Sequence, residues 1–190
     1  SYSSFEDRDR KVIKEINGIK YAFFSYTTWT NGLSTPTGKE YLNNVYNEEL
    51  VKADIERVNE EADVIIVAMH WGTEYSTGIS DTQVEIANYL ANLGVDIIIG
   101  SHPHVVEPIE FIGKTMVIYS LGNFISDQVG VECLTGLMVS VDIKKTVEKD
   151  NTTINLENQA AELIYTYSNS YPQKRDFKVY PYSELNDNLL

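Results

Sequence analysis

His70, His102 and His104 are the three histidines of this 190-residue chain. Imidazole ligates Zn, Fe, Ni or Cu, and with added carboxylates Mn joins the set. In Ser101-His102-Pro103-His104 the proline biases His102 toward an extended backbone, and residues two apart in an extended chain project to the same side. Two imidazoles on one side, with a third from a neighbouring strand, make a transition-metal constellation. Trp71, Glu74 and Tyr75 follow His70 and offer hydrogen-bonding support or a group that moves a proton. Read alone, Glu74 fits a solvated loop carboxylate equally well. A lone histidine at a strand end is more often only hydrogen-bonded. Three at one rim, with Gly72 and Gly100 permitting close backbone approach, favour a metal site.

The rim is defined by the elements before it. Asp63 to Met69 and Val95 to Ile99 are apolar, β-branched runs of the kind buried on both faces of a parallel sheet. Between them Ser80 and Gln83 spell a capping box, Val84, Ile86, Ala87, Leu90 and Leu93 recur at helical spacing, and Gly94 stops the helix. Strand, helix and strand at this length predict a right-handed βαβ crossover, with both strands parallel and close in one sheet. In such sheets ligands bind at the carboxyl ends of the strands, where all three histidines stand.

Upstream, Val12 to Ile16 and Ile19 to Tyr26 flank Asn17-Gly18, a strong hairpin signal. Thr27 to Gly38 reads as a loop whose Trp29 either lines a site or anchors the loop. Asn47 caps a helix carrying Leu50, Val51, Ile55, Val58 and Ala62, while Glu56, Glu60 and Glu61 form its solvated surface. From Val105 onward helical signals vanish. Val105 to Phe111, Thr115 to Leu121, Leu134 to Ile143, Thr153 to Leu156, Ala161 to Tyr167 and Phe177 to Tyr180 read as strands.

Composition bounds the partners. Fifteen Lys and Arg against 28 Asp and Glu give a net charge of −13, which argues against nucleic acid, whose backbone demands clustered cations. The single cysteine, Cys133, allows no intrachain disulfide and reads as a small buried thiol. No apolar run approaches the roughly 18 to 20 residues of a membrane span. The chain starts Ser1-Tyr2-Ser3-Ser4 and reads as a processed or cut piece.

His70-Trp71-Gly72-Thr73-Glu74-Tyr75, Gly100-Ser101-His102-Pro103-His104-Val105 and Tyr119-Ser120-Leu121-Gly122-Asn123-Phe124 resemble, in order and spacing, the signatures of the bacterial CapA family of poly-γ-glutamate capsule biosynthesis proteins. That family lies within the calcineurin-like metallophosphatase superfamily. Gln83 and Ile86-Ala87 also fit its pattern, and the likeness covers about residues 12 to 128. The resemblance implies an α/β fold: the C-terminal half of an α/β/β/α sandwich, with a parallel βαβ core followed by mainly antiparallel strands. Residues 1–128 would be the CapA-like part, and 129–190 the remaining β-rich segment and peripheral tail of the same domain. It implies a two-metal site for Mn, Fe or Zn in which His70 and His102 bind the second metal and His104 the first. Glu74 and His70 would be catalytic, with Trp71 and Asn123 at the rim.

The superfamily takes its other ligands, a bridging Asp among them, from earlier Asp-x-His, Gly-Asp and Asn-His motifs, and none of these occurs here. The expectation is a capsule biosynthesis protein whose metallophosphatase-like site is incomplete in this chain, with the N-terminal half removed, cleaved or supplied separately. The complete domain would be a metal-dependent hydrolase, whereas this chain would bind at most one ion, weakly, and hydrolyse little. Two other readings are a non-catalytic assembly or polymer-binding module and a general metal-dependent phosphodiesterase. The implied partners are poly-γ-glutamate or a related anionic polymer and capsule synthase subunits, with no nucleic acid. The implied location is the extracellular face of the bacterial cytoplasmic membrane, through an N-terminal anchor not in this chain. A chain at −13 repels a polyanion over about 8 Å at physiological salt. Lys114, Lys144, Lys145, Lys174 and Arg175 are the cations folding would have to gather into a track.

Overall fold

The computed structural model describes residues 2–149, 151–168 and 176–186. Lys174 and Arg175 lie outside them. The chain forms two compact units, one of Ser1–Gly72, Ser80–Ser101 and Ile109–Tyr119, the other of Thr73–Ile79, His102–Pro108 and Ser120–Leu190. The architecture is mixed α/β, with a largely parallel sheet in one unit and an antiparallel one in the other.

In the first unit, one turn of helix, α1 (Phe5–Arg8), precedes the Asn-Gly hairpin of β1 (Lys14–Ile16) and β2 (Ile19–Thr27). Asn17 and Gly18 take φ of 52° and 78°, the positive values that turn demands. Asn47 caps α2 (Glu48–Val58) by accepting from Leu50 N. The helix stops at Val58, so Ala62, Glu60 and Glu61 follow it instead of extending it. Next come β3 (Val64–His70), α3 (Asp81–Asn92) and β4 (Ile97–Ser101), with both halves of the Ser80–Gln83 capping box made. The hairpin β5 (Ile109–Ile112) and β6 (Thr115–Ile118) completes a sheet of order β1-β2-β3-β4-β6-β5. Its four central strands are parallel, and β3 and β4 are adjacent, with His70 opposite Ser101. The expected strand over Val105 to Phe111 begins only after Pro108, which has no N–H for a ladder.

Fully buried Val67, Ile98 and Leu90 form part of this core, each worth about 1.5–3 kcal/mol of removed apolar surface. One charged residue is buried with them. Asp54, on α2, accepts from Arg8 Nη1 and Nη2 at 3.1 and 2.6 Å, from Arg57 Nη1 at 2.8 Å and from Tyr26 Oη at 2.7 Å. Burial, reinforced by the Asp54 charge, pushes the Tyr26 phenol far above its ordinary range. Glu56, exposed on the same helix, and Asp54, on its buried face, have the same sequence signature until the cations of Asp54 are placed.

In the second unit, α4 (Val131–Leu134) is a single helical turn in a region where no helix was expected, entered through Gly130 at φ 102°. It buries Cys133, whose thiol is raised by that burial and by Glu132. β7 (Thr135–Glu148) and β8 (Asn151–Tyr167) form a long antiparallel hairpin, and β9 (Lys178–Pro181) pairs with the end of β8. The two strands expected at Thr153 to Leu156 and Ala161 to Tyr167 are one. The polar Glu157-Asn158-Gln159 stretch between them is an irregularity opposite the Ser140/Asp142 register shift, with Asn158 at φ 52°.

Candidate metal centre

The second unit gathers Glu74, His102 and His104, one ligand atom of each lying within 4.8 Å of the others. His104 Nε2 stands 4.0 Å from Glu74 Oε1. The His102 and His104 rings are 6.1 Å apart and tilted by 53°. Their backbone is not the extended strand expected from Pro103: His102 has φ 103° and His104 φ 63°. Positive φ is uncommon for residues other than glycine and costs on the order of 1–3 kcal/mol each. Pro103 keeps His102 out of the right-handed helical region but does not choose between the remaining wells. The side chains therefore meet through a kinked loop instead of strand alternation.

Several contacts hold this loop. Tyr75 N donates to the Pro103 carbonyl at 2.8 Å, tying the Glu74 segment to the His-Pro-His segment. The Tyr75 ring, itself on a residue at φ 64°, stacks on His104 at 5.8 Å and 25°. Asn123 Oδ1 lies 3.1 Å from His104 Nδ1. Its Nδ2 donates to the carbonyls of His104 and Cys133 and to Gln128 Oε1. Gln128 Nε2 in turn donates to Tyr75 Oη at 3.3 Å. The His102 imidazole is held below its ordinary range by burial, with His104 pushing the same way and Glu74 opposing.

Two of the residues singled out in the sequence belong to the first unit. His70 ends β3, and its Nδ1 is 2.9 Å from Thr27 Oγ1. Trp71, expected at a rim, is buried in the interior: Nε1 donates to the Tyr119 carbonyl at 2.9 Å and the indole stacks on Tyr119. Gly100 makes room for it, since a Cβ there would fall 1.8 Å from the Tyr119 carbonyl oxygen and 2.6 Å from Trp71 Nε1. Trp29 is exposed and lines, with His70, Thr30, Asn31 and Thr35, an open cavity of about 440 Å³. Sequence reading passed over Thr27 and Gln128. Thr27 looked like the first residue of a loop, and Gln128 carries no spacing signal at all.

The donor set tests well against a divalent ion. Two imidazole nitrogens and a carboxylate oxygen suit Zn, Fe or Mn, and three protein ligands leave positions open. Ligands at about 2.1 Å around a tetrahedral ion stand about 3.4 Å apart, so closure asks the exposed Glu74 to move by roughly 1 Å.

Comparison with known proteins agrees with the motifs. The family model of the bacterial capsule synthesis protein PGA_cap matches residues 1–128. The PGA biosynthesis protein CapA of Bacillus subtilis strain 168 is 33% identical over 150 residues, 75% of this chain and 38% of that protein. The capsule biosynthesis protein CapA of Bacillus anthracis is 30% identical over 129 residues, 66% of this chain and 31% of that protein. The chain thus spans between three and four tenths of the length of these relatives. Among solved structures, a Staphylococcus aureus protein described as a 5′-nucleotidase, in complex with alpha-ketoglutarate, overlays 79% of this chain and 28% of its own. That overlay has a TM-score of 0.48 at 16% identity.

Proposed function

The chain belongs to the bacterial capsule synthesis protein family of the PGA_cap model, and from that premise we propose that it carries the metal-binding part of a protein that builds poly-γ-glutamate or a related anionic polymer. The observation that supports this most directly is the convergence of Glu74, His102 and His104 in one unit. We assign them as ligands of one divalent ion, Mn, Fe or Zn. The ion, when bound, supplies Lewis acidity toward a substrate oxygen. Burial holds the His102 imidazole below its ordinary pKa, which lessens the competition between proton and metal. Glu74 brings the site's one carboxylate and leaves its second oxygen to hold or pass a proton.

His70 is proposed as a metal ligand or proton carrier in its own unit on the strength of the family resemblance. The same resemblance supports work beside capsule synthase subunits at the extracellular face of the cytoplasmic membrane. No helix among the described residues is long and apolar enough to cross a membrane. Surface proteolysis of intact cells making the full-length protein checks the location, and full protection would exclude it.

Calorimetric titration of the metal-free chain with Zn²⁺ and with Mn²⁺ tests the assignment. One ion per chain is expected, with affinity falling at least about 100-fold in His104→Ala and about 10-fold in Glu74→Gln. Absence of binding at millimolar metal, or binding untouched by His104→Ala, would refute it.

A further inference from the structure

We infer that Thr27 and Asn123 are positioning residues that fix the ring proton of His70 and of His104 on Nδ1, so that each imidazole presents an unprotonated Nε2 to a cation. The inference rests on the proposed metal-binding role for its purpose, but not for its geometry.

Asn123 is decided by what surrounds its amide. Nδ2 lies 3.2 and 2.9 Å from the carbonyl oxygens of His104 and Cys133. A carbonyl oxygen brings no proton, so the group facing both must be the NH₂ end. Turned over, the amide would set an oxygen against two carbonyl oxygens. Its true oxygen therefore faces His104 Nδ1 at 3.1 Å, and because an amide oxygen only accepts, the proton on that bond belongs to Nδ1. The ring's other nitrogen, Nε2, is the one turned toward Glu74 Oε1. Gln128 completes the bracket, joining Asn123 to the Tyr75 ring stacked on His104.

Thr27 reaches the same result with a hydroxyl. Its Oγ1 is 2.6 Å from the Trp29 carbonyl oxygen, which again has no proton to give, so the single hydroxyl proton is spent there. Trp29 N donates back to the same Oγ1 at 3.3 Å. Oγ1 can then only accept from His70 Nδ1 at 2.9 Å. In water the neutral ring favours the proton on Nε2, so each arrangement reverses the default. Both partners are neutral. They choose the tautomer without adding charge to a chain already at −13 and without the rise in ring basicity that a carboxylate partner brings.

Long-range ¹H–¹⁵N correlation spectra of the imidazole nitrogens test this on the full chain, metal-free, above the ordinary histidine pKa. His70 and His104 are expected to show a protonated Nδ1 and an unprotonated Nε2. Asn123→Ala should return His104 alone toward the Nε2–H form, and Thr27→Val should do so for His70 alone. Thr27→Ser and Gln128→Ala, which leave the deciding carbonyls in place, should keep the native pattern. If Asn123→Ala fails to fold, the wild-type spectrum still decides. Nε2–H at His104 or at His70 in the wild type overturns the inference for that ring, as does a folded Asn123→Ala or Thr27→Val with the native pattern. Zn²⁺ added to Asn123→Ala is expected to bind about 10- to 100-fold more weakly than to wild type, and equal affinity overturns the purpose assigned to Asn123. A chain with the expected tautomers that binds no metal would refute the proposed function alone, whereas a chain that binds metal with wild-type Nε2–H rings would refute this inference alone.

Discussion

In the six-stranded unit the sheet and helices are regular, and buried or half-buried polar side chains on them serve the backbone. Asp54 joins α1, α2 and β2 through two arginines and a tyrosine, Gln83 closes a capping box, and Asp96 Oδ2 accepts from Ile65 N. Around the candidate metal centre in the second unit the relation is reversed. His102 and His104 sit at φ of 103° and 63°, and Tyr75 beside Glu74 at 64°, so the backbone is bent to bring side chains together. His70 ends an ordinary strand and needs no such bend. Asp54, Gln83 and Asp96 answer to the fold, whereas polar groups for which the fold gives way mark the place where chemistry is expected.

Breaking the regular frame should have the largest effect. In Gly100→Ala the new Cβ would meet the Tyr119 backbone oxygen and the buried Trp71 indole, neither of which can swing away. A loss of about 4 kcal/mol or more is expected in urea denaturation, and a near-native midpoint would show the frame to be softer than its packing implies. Asp54→Ala takes the acceptor from the buried Tyr26 hydroxyl and leaves Arg8, at a side-chain exposure of 7%, and Arg57 with the half-exposed Asp9 as their remaining carboxylate. About 3–5 kcal/mol is expected there by the same measurement.

The bent backbone makes the opposite prediction. His102→Gly removes a side chain from a position at φ 103°, where glycine is at ease. Stability should hold or rise by up to about 1 kcal/mol while Zn²⁺ affinity collapses, whereas His70→Gly in a regular strand should cost about 0.5–1 kcal/mol. Equal destabilisation by both would erase the distinction between the two units.

Legibility in the sequence divides along the same line. Asn17-Gly18, Asn47, the Ser80–Gln83 box and the two apolar runs were readable because propensity, capping and burial all act within a few residues of chain. The polar break at Asn158 misled because an exposed hairpin tolerates a bulge without ending a strand. Asp54 and Trp71 were hidden for a shared reason: whether a carboxylate or an indole faces water depends on distant partners, Arg8 for one and Gly100 with Tyr119 for the other. Residue type and family motif pointed to Glu74, His102 and His104, but the kink that joins two of them has no periodicity to read.

The smallest effect is expected at Asp96, and it asks whether a polar group in the regular unit serves the fold as a charge or only as an acceptor. Burial raises its carboxyl above the ordinary value, opposed by the hydrogen bond from Ile65 N and by Lys114. The folded state then keeps this proton to a higher pH than the unfolded chain does. Below the unfolded value of 3.8 both states are protonated, and the group adds no pH dependence. As pH rises through that value and then through the higher folded one, the unfolded chain ionises first and stability falls. Asp96→Asn keeps an oxygen for Ile65 N and cannot ionise. It should be more stable than wild type at pH 7 by less than about 1 kcal/mol, an advantage that fades as pH is lowered toward 3.8. If the variant is instead the less stable at pH 7, the charge on the bond to Ile65 N outweighs its burial, and Asp96 serves the fold as a charge.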